Sequence, residues 1–117
     1  MREWWMAALL AAGIGTAAGT ATAQPVGNPY PTVAVGDYLL GCMAANGDTR
    51  QALERCACSI DVIASILPYE AYEAAETFLG VGRIAGERGV IFRTSEQSKE
   101  SVGALRRAQI EAELRCF

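Results

Sequence analysis

Two sets of side chains in this chain have the types and spacing to do chemistry. They are four cysteines (Cys42, Cys56, Cys58 and Cys116) and a row of glutamates centred on "YEAYEAAE". The "ERCACSID" segment puts Cys56 and Cys58 one residue apart in a stretch that reads as helix. Thiols so placed could clip a metal, form a redox pair or belong to two separate cross-links. C-x-C lacks the C-x-x-C knuckle of structural zinc sites, and neither a C-x-x-C redox motif nor C-x-x-C-H haem attachment is present. At ~100° per residue the two cysteines sit about 200° apart around a helix, on opposite sides. They cannot easily bond each other, so each takes a different partner and the four act as staples.

The chain has no histidine, which excludes a Ser-His-Asp triad, a Cys-His nucleophile and any His-containing metal site. No G-x-S-x-G, P-loop or dinucleotide fingerprint occurs. An enzyme is not expected, nor is an organic cofactor. A net charge of −3 without a Lys/Arg run argues against nucleic-acid binding.

What remains is carboxylate. Glu70, Glu73 and Glu76 fall at i, i+3 and i+6, a skewed row on one helix, and Glu111 with Glu113 forms a second group near the C-terminus. Carboxylate and water oxygens suit hard cations such as Ca²⁺ or a trivalent lanthanide. The lanthanide gains more from the same carboxylates because its charge is higher. A solvated helix face, with Glu70 and Glu73 near the positive end of the helix dipole, is the plainer reading of the same residues. No D-x-[DN]-x-[DN]-G loop is present, so a metal site here would be shallow, rich in water or completed by a second molecule.

The elements that must position these residues begin after a leader. Residues 1–23 open with Arg2, run apolar and small from Trp4 to Ala18 and end in Ala21-Thr22-Ala23, as a cleaved secretory signal peptide does. The apolar run is shorter than the ~20 residues that span a bilayer, so no membrane attachment is expected after cleavage. A mature chain of about 94 residues from Gln24 suffices for one small domain, and four cysteines in a secreted domain of that size fit a two-bridge framework. Residues 24–36, with three prolines and two glycines, predict an extended or disordered arm, a loose terminus, and 37–117 the folded domain.

Within the domain the apolar spacing predicts about four helices and no convincing strand, an all-α, disulfide-stapled bundle. Asp37 caps the first, and Asn46-Gly47 ends it. Asp48 with Gln51 opens the second, which carries Leu53, Cys56, Ile60, Ile63 and Leu67 on one stripe. Cys58, Val62 and Ile66 form an opposite stripe, as in a helix packed on two sides. Pro68 suits the first turn of the third helix, which Gly80 ends, with Ala71, Ala74, Ala75, Phe78 and Leu79 facing inward. The four glycines of 80–93 predict a long loop with Val90, Ile91 and Phe92 at its tip. Thr94 with Gln97 caps the last helix, which buries Val102, Leu105, Ala108, Ala112 and one side of Leu114. Folding the first two helices antiparallel brings Cys42 nearest Cys56, leaving Cys58 for Cys116. The swapped pairing, Cys42–Cys58 with Cys56–Cys116, is the rival.

The run "YLLGCMAANGDTRQALERCACSIDVIASILPYEAYEAAETF", the "FR" at 92–93 and the ending "RRAQIEAELRCF" resemble the landiscernin-like family of small secreted four-cysteine proteins of methylotrophic bacteria. The likeness covers most of the mature chain, and its most specific part is "CACSID" with Cys42 and Cys116. It implies lanthanide handling in the periplasm, beside quinoprotein alcohol oxidation, but carries over no ligand residue. The expectation is therefore a periplasmic protein that binds a lanthanide ion through surface carboxylates. The alternative is a non-enzymatic interaction protein that presents the 80–93 loop to a periplasmic partner.

Overall fold

Helix starts and stops follow short-range chemistry along the chain. A computed structural model describes residues 27–117; the signal-peptide expectation and the first residues of the arm lie outside them. The described residues form five helices and no strand: α1 Thr32–Asn46, α2 Arg50–Ile66, α3 Tyr69–Gly82, α4 Glu87–Thr94 and α5 Glu96–Cys116. Gly47, at φ 106°, ends α1, and its N–H meets the Met43 carbonyl at 2.8 Å. The cap of α2 is Thr49, not Asp48, with Oγ1 accepting from Ala52 N at 3.0 Å. Ser95 rather than Thr94 caps α5, accepting from Ser98 N at 3.2 Å. In both cases the helix begins one residue later than the spacing predicts, and the hydroxyl at that position takes the cap.

Two expectations change more substantially. The arm is shorter than expected, because α1 starts at Thr32 with Pro31 as its N-cap, and Asp37 lies inside the helix. The preceding stub is docked rather than loose. The Asn28 side-chain amide donates to the Ile60 carbonyl at 3.2 Å and to the Asp61 carboxylate at 2.8 Å, while Tyr30 is buried and donates its hydroxyl to the Leu67 carbonyl. The Tyr30 ring packs against Tyr69 and Tyr72 at 5.3 and 4.9 Å between centroids. The second change is in 80–93, which is not one long loop. α3 runs on to Gly82, a short turn follows, and α4 is an extra helix.

Leu105, Ala108 and Ala112 of α5 are fully buried, as are Ile60 and Ile63 of α2 and Ala75 of α3. The small alanines let α5 lie close to α2 and α3, so this longest helix is the common partner. Leu114 is 77% exposed and Ala74 is also exposed, so neither faces the core as expected. The second stripe of α2 is only partly covered, with Val62 half-buried and Ile66 exposed. The bridges are Cys42–Cys56 and Cys58–Cys116, with Cα atoms 5.9 and 5.8 Å apart. They join α1 to α2 and α2 to the end of α5, which is the pairing that helix register favours. Two disulfides place the domain in an oxidising, extracytoplasmic-type environment. Among the described residues no helix is long and apolar enough to cross a membrane.

Candidate functional site

A cavity of about 450 Å³ opens between α1, α3 and the C-terminal part of α5, over Ser59 of α2. One carboxylate comes from each helix: Asp37 from α1, Glu76 from α3 and Glu113 from α5. The other polar groups in its wall are neutral: the Tyr38 and Ser59 hydroxyls, 2.7 Å apart, with Tyr72, Asn46 and Gln109. No basic side chain lines it.

Each staple fixes one wall. Cys42, which lines the cavity, lies just over a turn beyond Asp37 and ties α1 to α2. Cys116 lies three residues beyond Glu113 and ties the end of α5 to the same helix. The Cys residues are therefore supports for the carboxylates and are not themselves ligands, since all four are oxidised.

The electrostatics of the wall are negative. Burial raises the Tyr72 phenol well above its ordinary value, and the charges of Glu76 and Asp37 push it further in the same direction. Burial alone pushes the neighbouring Tyr30 up to about 12. Tyr69 is also raised, by desolvation first and then by Glu73.

The sequence-derived carboxylates are redistributed. Glu76 and Glu113, assigned to separate groups by spacing, line one cavity. Glu73 lines an adjoining groove between α1 and α3 that also includes Asp37 and Glu76. Glu70 is exposed and lines neither depression. Glu111 faces Arg115 on its own helix, 2.6 Å from the guanidinium, and is occupied by that pair. By spacing Asp37 is only a helix cap; because α1 starts at Thr32, it lies inside the helix, on the face toward α3.

Among the described residues no three ligand side chains converge closely enough to hold a bare metal ion. The donor set is nonetheless chemically uniform, with carboxylate, hydroxyl and amide oxygens only. No family model, curated protein or solved structure matches the chain.

Proposed function

We propose that the protein is a periplasmic binder of hard cations, most favourably trivalent lanthanides, exported by the signal peptide of residues 1–23 and acting by binding rather than catalysis. The observation that carries this reading is the three-helix cavity: Asp37, Glu76 and Glu113 face one volume without a basic side chain among them. At ~30 Å³ per water, about 450 Å³ has room for roughly fifteen waters, so the guest is a hydrated ion. The carboxylates would hold it partly through water, with Ser59, Tyr38 and Gln109 ordering that shell. The landiscernin-like resemblance supports the same ion class and compartment.

Charge then sets the preference. At equal distance a third charge raises the Coulomb attraction by about half over Ca²⁺. Without a cage of converged ligands, affinity should be on the order of micromolar or weaker. Competition calorimetry on oxidised protein tests this. A lanthanide should displace Ca²⁺, and rising salt should weaken both. Equal affinity for the two ions, or no heat with either, would reject the proposal.

A second reading draws on α4, where Val90, Ile91 and Phe92 are 46%, 59% and 39% exposed. In that reading this helix, in place of a loop, is the surface presented to a periplasmic protein partner. Ile91→Ser should then abolish in-cell cross-linking to the partner and leave cation binding intact.

A further inference from the structure

The groove between the end of α3 and the start of α5, closed at one side by α4, has the opposite character. It is a cavity of about 470 Å³, within the size range of small-molecule sites. Arg83, Arg93, Lys99 and Arg106 line it, and no carboxylate does. Between these cations the wall is apolar, from Phe78, Leu79 and Val102. Ser98, only 4% exposed, supplies its one neutral polar side chain.

Three of these four cations have no ion pair among the described residues. The ion pairs among the described residues are Arg50–Glu54, Lys99–Glu96 and Arg115–Glu111, so Arg83, Arg93 and Arg106 have none. The Lys99–Glu96 pair is solvent-exposed, with side chains 57% and 92% accessible, and such a pair exchanges readily. Arg93 is held in place by two glycines. A Cβ on Gly82 would stand 3.0 Å from its Cγ, and one on Gly89 would stand 3.0 Å from its Nη1. That nitrogen donates to the Gly82 carbonyl. A guanidinium anchored along one edge keeps its other N–H donors for a further acceptor, in a fork that matches carboxylate or phosphate.

Cations around an apolar wall, with Arg93 anchored among them, recognise a ligand of two parts. We propose that this cleft binds a small amphipathic organic oxyanion, a carboxylate or phosphate head on an apolar body of roughly eight to ten carbons, a size that suits such a cavity. The head lies among Arg83, Arg93 and Arg106, and the body rests on Phe78 and Val102. The site is separate from the acidic cavity and does not depend on cation binding there.

The test uses ¹⁵N-labelled protein recovered oxidised from the periplasm of expressing cells. It is titrated with decanoate and with decyl phosphate below their micelle concentrations; decanol and acetate serve as controls carrying one feature each. At least one amphiphile should shift the Gly82 and Gly103 amides, leave Gly41 in the acidic cavity unmoved, and bind about tenfold or more tighter than either control. The double variant R83Q/R106Q should keep its melting temperature, since neither arginine is ion-paired, and lose about tenfold or more in affinity. R106Q alone decides the matter if the double variant fails to fold. The proposal is overturned by absence of shifts with both amphiphiles, by shifts of equal size at Gly41, or by undiminished affinity in the arginine variant. Decanol or acetate binding as tightly as the amphiphiles would also overturn it.

Discussion

The two ends of the helix pair α3–α5 are built by different means. At the acidic end, α1, α2 and the tail of α5 are joined by covalent bonds, Cys42–Cys56 and Cys58–Cys116. At the basic end no disulfide is present; α4 is held by close backbone approach. Gly89 packs so tightly that a Cβ there would fall 1.8 Å from the Ile84 carbonyl oxygen. The Phe78 and Phe92 rings, 6.4 Å apart, and the Arg93 bond to Gly82 complete the attachment. Both ends hold a cavity lined by like charges, of about 450 and 470 Å³. Covalent bonds brace the acidic one, whereas the helix beside the basic one stays in place only while glycine hydrogens, and no Cβ, meet the backbone.

The largest expected effect is therefore at the stapled end. Cys58–Cys116 spans 58 residues, and closing a loop of that length contributes about 4 kcal/mol in the chain-entropy model. That is a large share of the 5–15 kcal/mol typical of a domain. C58S/C116S should lower the melting temperature by roughly 15 to 30 °C, measured by circular dichroism. A melt unchanged by this variant would mean that the core alone holds the acidic end.

Gly89→Ala sharpens the contrast from the other side. Its Cβ meets backbone rather than a movable side chain, so α4 must shift, at a cost of about 1–3 kcal/mol. Hydrogen exchange should quicken in α4 while α1, α2 and the disulfide-linked end of α5 keep their protection. Uniform loss of protection would show that the two ends unfold as one unit.

A smaller effect tests the strap that joins the N-terminal stub to α2. Tyr30→Phe removes one buried hydrogen bond to the Leu67 carbonyl and should cost about 1–2 kcal/mol. The same phenol predicts an alkaline limit. Its folded pKa is raised above the ordinary 10.0, so the folded state favours the neutral form. That contribution is fully present below pH 10.0 and is lost as pH rises toward about 12. Tyr72, raised in the same direction, adds to the loss. The melting temperature should fall between pH 10 and 12, less steeply in the Phe variant.

The same difference between the ends explains what the sequence made legible. Cysteine positions state long-range contacts outright, and helix register alone ranked the observed pairing over its swap. The stripe of Cys56, Ile60, Ile63 and Leu67 was readable because its period matches the helix and all four are buried. The basic end was not legible. Gly80, Gly82, Gly86 and Gly89 read as loop by propensity, yet Gly82 and Gly89 are helical because their bare backbones let α3, α4 and Arg93 meet. The end of the arm is not legible at Pro31-Thr32, where proline opens a helix instead of prolonging a coil. The acidic cavity was half visible: spacing found Glu76 and Glu113 as members of separate rows. Only the antiparallel packing of α3 and α5 brings them to one cavity with Asp37.

Terbium luminescence excited through tyrosine reports directly on a cation in the acidic cavity. Tyr38 and Tyr72 line the acidic cavity, so an ion held there lies within sensitising range of both rings. Oxidised wild-type protein should give strong, saturable emission. Glu76→Gln with Glu113→Gln should reduce affinity by about tenfold or more, while Glu70→Gln with Glu111→Gln should leave it within about twofold. Full emission and unchanged affinity in the first variant, or equal losses in both, would contradict a cation site between α1, α3 and α5.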